Sequence, residues 1–118
     1  MTRATQRGHD FEHRVAKTVG GLVYAGQDGD VEIPGTPYRL ECKYSNGFRY
    51  MRFKEWHDQI AAYEKRHPDK KFGLAYTGGK PYQNARIWVS IPMEEFQSFL
   101  VLQSTEKLLA VIDKLKEG

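Results

Sequence analysis

Cysteine is nearly absent from this sequence: Cys42 is the only one in 118 residues. No internal disulfide framework is therefore possible, and a lone thiol fits a reducing compartment. Long hydrophobic runs are missing too. No stretch approaches the ~20 apolar residues that cross a bilayer, and Met1 to Asp10 has no apolar signal region. The expectation is a cytoplasmic protein without a membrane role. There are no repeats, linkers or low-complexity runs. A large excess of one charge is also lacking, since 18 Lys/Arg against 15 Asp/Glu leave only +3. What the chain does have is enough apolar material, 40% with 13% aromatic, for one domain over residues 1–118 with a core of its own.

The charge is unevenly placed. Residues 21–42 carry one Lys/Arg against four Asp/Glu, whereas residues 43–80 carry nine against four. An acidic knot thus precedes a basic stretch. A uniformly basic chain would suggest passive phosphate binding; an acidic knot in a basic field suggests a device that holds cations close to phosphates. Chance clustering on solvated faces is the plain alternative.

Apolar spacing predicts a helix over Arg7–Val19, with Phe11, Val15 and Val19 on one face and Gly20-Gly21 as its stop. Residues 1–6 read as a flexible basic arm. A short strand is expected at Leu22–Tyr24 and a turn at Gln27-Asp28-Gly29. Asp30–Ile33 alternates and reads as a strand, with Val31 and Ile33 on one face. Pro34-Gly35-Thr36-Pro37 makes a hairpin turn into a strand at Tyr38–Tyr44. There Leu40 and Cys42 share one face, and Arg39, Glu41 and Lys43 the other. A helix follows over Phe53–Arg66, with Trp56, Ile60 and Tyr63 along one side. Strands are expected at Phe72–Thr77 and Arg86–Ile91, with a Gly78–Pro81 turn between them. Two helices close the chain, one after Pro92 and one over about Thr105–Lys116. The whole predicts a single-domain α/β fold, a mixed β-sheet flanked by helices.

The chemistry concentrates at Asp30 and Glu41-Cys42-Lys43. A hairpin brings Asp30 near Glu41, and two carboxylates so placed repel unless a cation lies between them. Oxygen ligands with room for water suit Mg²⁺ or Mn²⁺. Lys43, two residues on, shares the Glu41 face and can meet water or an attacked phosphate there. An ordinary exposed Glu–Lys pair is the plain alternative. Glu12 flanks the buried stripe of the first helix, from which it either reaches the sheet or faces solvent.

Glu12 in an N-terminal helix, then Gly29-Asp30-Val31, then Leu40-Glu41-Cys42-Lys43, resembles the PD-(D/E)XK nuclease superfamily, and within it the archaeal-type Holliday junction resolvases, which include phage members. The opening Arg7-Gly8-His9-Asp10-Phe11-Glu12, the helix after the lysine and the closing strand pair are also similar. The resemblance implies a restriction-endonuclease-like fold and a Mg²⁺-dependent endodeoxyribonuclease, with Mn²⁺ able to substitute. Asp30 and Glu41 would be metal ligands with the Cys42 backbone carbonyl, Lys43 would orient or activate water, and Glu12 would assist at the metal. The substrate would be branched DNA, in particular four-way junctions, and the compartment the host cytoplasm for a phage protein. Other repair, flap-cutting or restriction-like nucleases share the fold, and a noncatalytic DNA-binding module is the rival from another class. The sequence departs from the family at Gly29, where the superfamily name has proline, and at Gln27-Asp28, where the resolvases often carry a small hydroxyl residue.

His9-Asp10-Phe11-Glu12-His13 also matches H-x-x-E-H, an inverted zinc-protease pattern. It would need a further ligand and a cleft, for which 118 residues leave little room. For DNA contacts, Tyr44, Phe48, Arg49, Tyr50, Arg52 and Lys54 interleave aromatic and basic side chains, suited to phosphates and exposed bases. Arg3 and Arg7 in the arm and Lys80 in the Gly-rich turn complete the candidates. Lys65, Arg66, Lys70 and Lys71 read as a solvated helix end. Two symmetric cuts in a four-way junction call for a two-fold homodimer. The apolar stripes of the last two helices, with Trp88, are its candidate interface; the alternative, favoured for Phe96 and Leu100, is the core.

Overall fold

The computed structural model describes residues 3–24, 28–45, 47–78 and 86–117, without the side chains of 3–5 and 48. Helix α1 spans Arg3–Val19. It starts four residues before the predicted Arg7, so residues 3–6, read as part of a mobile arm, are helical. The apolar pattern begins only at Phe11 and carries no signal for a polar turn ahead of it. The stop falls where glycine predicts it. Gly20 takes φ +68°, and the Gly21 N–H returns to the Ala16 carbonyl at 2.8 Å, closing the last turn with a left-handed residue.

Five strands follow in spatial order β1-β2-β3-β4-β5: β1 Leu22–Val23, β2 Val31–Glu32, β3 Tyr38–Ser45, β4 Lys71–Gly78 and β5 Trp88–Ser90. The β1–β2, β2–β3 and β4–β5 pairs are antiparallel, whereas β3 and β4 run parallel. A parallel pair needs a crossover, and α2, Phe53–Arg66, supplies it. The β2–β3 hairpin turns as expected. The Ile33 N–H donates to the Tyr38 carbonyl, and Gly35 sits at φ +79°.

Strand alternation divides the core into two layers. Phe11, Val15 and Ala16 of α1 bury with Val31, Leu40 and Ala75, and Cys42 packs against that cluster. On the other face, Ile60 and Tyr63 of α2 bury with Phe72 and Leu74, beside Trp56 and Tyr76. Successive β4 residues Leu74 and Ala75 thus serve opposite helices. The chain is an α/β domain with a five-stranded mixed sheet flanked by helices, and no helix among the described residues is long and apolar enough to cross a membrane.

The C-terminal region departs from expectation. Where two helices are predicted, a single helix α3 runs from Met93 to Glu117, 25 residues without a break. No Gly or Pro interrupts this span, and Thr105 is accommodated by returning its hydroxyl to the Val101 carbonyl at 2.9 Å. None of its residues is buried. Phe96 and Leu100, favoured as core, are 49% and 48% exposed.

Candidate active site

The site is built where β2 gives out beside β3. Val31 pairs with Leu40, and Asp30, one residue ahead of the strand, reaches Leu40 and Cys42 on either side of Glu41. The Asp30 backbone is pinned on both sides: its N–H donates to the Leu40 carbonyl at 2.9 Å, and its carbonyl accepts from Tyr24 at 2.8 Å. Its side chain then takes over the ladder, accepting the Cys42 N–H at 2.7 Å on Oδ2. The N–H and C=O of one strand residue project to the same side, which turns the Cys42 carbonyl toward Asp30 as well. Gly29 holds the entry to this corner at φ +85°, where a Cβ would lie 2.9 Å from the Arg39 Cβ. Only glycine fits both the conformation and the space. Asp28 fastens the same loop to the end of α2, accepting from Arg66 Nε at 2.8 Å and lying 3.0 Å from His67 Nε2.

Three carboxylates meet here from different elements. Glu41 is buried, 6% exposed, on the α2 face of the sheet. Burial, then the charge of Asp30, pushes its carboxyl up to about 7, while Lys43 opposes the shift. The Asp30 and Glu41 side chains are close neighbours. Glu12 arrives from α1 on the other face. Burial and then Asp30 raise it above the usual carboxylate range, with His9 and His13 pulling the other way. Lys43 Nζ lies 3.5 Å from Glu41 Oε1 with a quarter of its side chain exposed. The Cys42 thiol is on the α1 side, and burial followed by the surrounding carboxylates pushes it far up, so it is a poor nucleophile.

The fold thus brings Glu12, Asp30, Glu41 and Lys43 together. Among the described residues, no three His, Cys, Asp or Glu side chains converge into a ready-made metal cage. That leaves His9, 3.7 Å from Glu12, without the further ligand a zinc reading of H-x-x-E-H requires. Magnesium asks for less, since one or two carboxylates suffice while water fills its other positions. The donor set fits such an ion: hard oxygens only, with two acids in contact whose mutual repulsion a cation would relieve.

One participant escaped the sequence reading. The Tyr63 hydroxyl lies near Glu41, and burial followed by that charge pushes it up to about 12. Gln59, one turn earlier, donates its side-chain amide to the same hydroxyl. Tyr63 was legible only as part of an apolar stripe. No signal in the sequence joins Tyr63 to Glu41, because local pattern does not say which sheet face the stripe covers.

The basic candidates divide. Arg49 stacks over the Tyr50 ring at 4.7 Å in a 3-10 turn at Phe48–Tyr50. Arg52 and Lys54 are 72% and 89% exposed at the start of α2, paired with Glu55 and Asp58. Such exposed pairs hold weakly and exchange readily for phosphate. This segment follows the Lys43 strand directly: Phe53 packs edge-on against Tyr76, the β4 partner of Lys43. Arg7 lies within α1. The Arg3 side chain and Lys80 fall outside the described residues, as do Gln27, Asn46 and residues 79–81 of the predicted turn. Arg66 and Lys71, read as solvated, are exposed and also pair with Asp28 and Glu95. Trp88 is 44% exposed on the edge strand, under the Arg86 guanidinium at 5.6 Å. No protein-family model matches the chain, and no curated protein or solved structure matches it significantly.

Proposed function

We propose that this chain is a Mg²⁺-dependent DNA endonuclease of PD-(D/E)XK type that cuts branched DNA, four-way junctions foremost, by phosphodiester hydrolysis. The observation that carries the reading is the meeting of Glu12, Asp30 and Glu41 beside Lys43, in the chain order the resemblance implies. Asp30, Glu41 and the Cys42 carbonyl would hold the ion, with Glu12 next to them. When bound, Mg²⁺ supplies charge stabilisation at the phosphate and a more acidic water. Lys43 donates from its ammonium group toward water or phosphate oxygen and offsets the developing negative charge. Tyr63 and Gln59 keep Glu41 aimed at the corner. Arg7, Arg49, Arg52 and Lys54 bind the DNA backbone, and paired cuts in a junction require two copies related by a two-fold axis.

The test is a substrate panel of junction, flap and linear duplex in Mg²⁺ or Mn²⁺, run with wild type and Asp30→Asn. Asparagine keeps an oxygen for the Cys42 N–H and so keeps the hairpin, while the charge is lost. Wild type should nick junctions in symmetric pairs, and Asp30→Asn should be folded and inactive. Cleavage by Asp30→Asn refutes the site. A preference for flaps or duplex moves the chain to another nuclease type of the same fold. Tight DNA binding without cleavage in either metal leaves a binding module.

A further inference from the structure

Among the described residues, helix α3 is joined to the body only at its start. The Tyr38 hydroxyl donates to Glu95, Lys71 reaches Glu95 at 3.0 Å, and the Phe99 ring lies 5.5 Å from that of Tyr38. From Leu100 to Glu117 every residue is exposed. A 25-residue helix is about 37 Å long, and the molecule accordingly extends 61 Å along one axis but 34 and 25 Å along the others. Leu100, Val101, Leu108, Val111, Ile112 and Leu115 are each between 37% and 75% exposed. Val101, Ser104, Leu108, Val111 and Leu115 alternate three and four residues apart, the spacing of a helix that pairs with another helix.

We infer that a second copy of this chain docks along this seam, α3 against α3, antiparallel and crossing near Ser104. Two observations name the occupant. The first is area: the six side chains leave on the order of 600 Å² of apolar surface, near the roughly 800 Å² that one partner gives a standard interface. The second is charge. On a 100° helical wheel Glu94 and Lys116 flank the same side of the seam, at opposite ends of it. A perpendicular two-fold axis sets Glu94 of each copy beside Lys116 of the other, twice. A parallel pair sets Lys116 beside Lys114 of the other copy instead. The antiparallel pair also opposes the helix dipoles, and small Ser104 at the crossing lets the backbones approach. The inference rests on the proposed function only for its purpose, two cutting sites in one assembly; the surface is argued without it.

The full chain is tested by sedimentation and by light scattering at micromolar concentration. The expected mass is twice 13.6 kDa. Leu108→Glu should halve it while the circular dichroism spectrum and the melting of the sheet core stay unchanged, because Leu108 is 61% exposed and belongs to neither core cluster. Glu94→Cys mixed with Lys116→Cys should form a disulfide-linked pair on mild oxidation, whereas Glu94→Cys alone should not. A monomeric wild type, or a dimer that survives Leu108→Glu, overturns the inference. Self-linking of Glu94→Cys overturns the antiparallel arrangement, and a monomer captured by anionic vesicles assigns the seam to a membrane surface instead. A dimer that cuts no DNA leaves the interface standing and removes the nuclease reading; a monomer that cuts DNA does the reverse.

Discussion

Glu41→Gln should stabilise the metal-free protein at alkaline pH and leave it unchanged at acidic pH. In the folded chain burial and Asp30 lift the Glu41 carboxyl from 4.5 to about 7. A carboxyl whose folded value is raised favours the native state fully below its unfolded pKa. It loses that contribution as pH rises through the folded value. A rise from 4.5 to about 7 sets a ceiling between about 3 and 4 kcal/mol. Lys43 stands 3.5 Å away and is partly solvated, and such screening leaves about 1–2 kcal/mol. Glutamine keeps the shape, donating toward Asp30 and accepting from Tyr63, without the charge. In EDTA at about pH 8 the variant should melt roughly 4–16 °C above wild type, given about 4–8 °C per kcal/mol for a domain near 100 residues. At about pH 4 the two curves should coincide, because Glu41 is then protonated in both states. Adding Mg²⁺ at the higher pH should raise wild type and barely move the variant. A difference that is absent at the higher pH, or equally large at the lower, would show that Glu41 does not carry a buried charge. A variant stabilised by Mg²⁺ as strongly as wild type would remove Glu41 from the metal site.

Three further outcomes follow from the geometry. Phe11→Ala removes the fully buried centre of the α1 layer and should cost about 3–5 kcal/mol in urea unfolding; a loss under 1 kcal/mol would mean the layer repacks freely. Gly29→Ala forces a side chain into φ +85° against Arg39, so it should destabilise by more than about 1 kcal/mol and weaken Mg²⁺ binding measured by calorimetry. Asp28 is held below the usual carboxylate range, chiefly by its hydrogen bond from Arg66. Its contribution is therefore complete above its unfolded pKa and fades as pH falls through the lower folded value. Asp28→Asn should flatten the acid limb of the melting-temperature profile, and an unchanged limb would count against the tie.

Elements with punctuation at both ends were legible in the sequence. Helix α2 has the predicted bounds because Ser45-Asn46-Gly47 lies ahead of it and His67-Pro68 beyond it. The hairpin was fixed by Pro34–Pro37 and by opposite alternation in its two strands. The start of α1 and the continuity of α3 were not, since a polar first turn and a Ser104-Thr105 step carry no stop signal. The acid cluster was half visible. Asp30 near Glu41 follows from the hairpin, but Glu12 could have faced solvent equally well by its periodicity. The Tyr63–Glu41 contact depends on which face the α2 crossover covers, a choice that local pattern does not encode. Arg66 is solvated as read, but its ion pair was hidden for the same reason: its partner Asp28 is 38 residues away in sequence.

Glu12 and Glu41 approach Asp30 from opposite faces of one sheet. Glu12, Asp30, Glu41 and Lys43 all lie on α1 and the β2–β3 hairpin, while the β3–α2–β4 crossover sets Leu74 beside Glu41 and Tyr63 near it. The parallel pairing of β3 with β4 joins segments separated by a whole helix, a slow kind of contact to form. Glu41 is therefore enclosed only when that pairing closes. A partly folded chain with α1 and the hairpin alone holds the same acids with Glu41 open to water, so the burial that raises its carboxyl comes with the complete sheet.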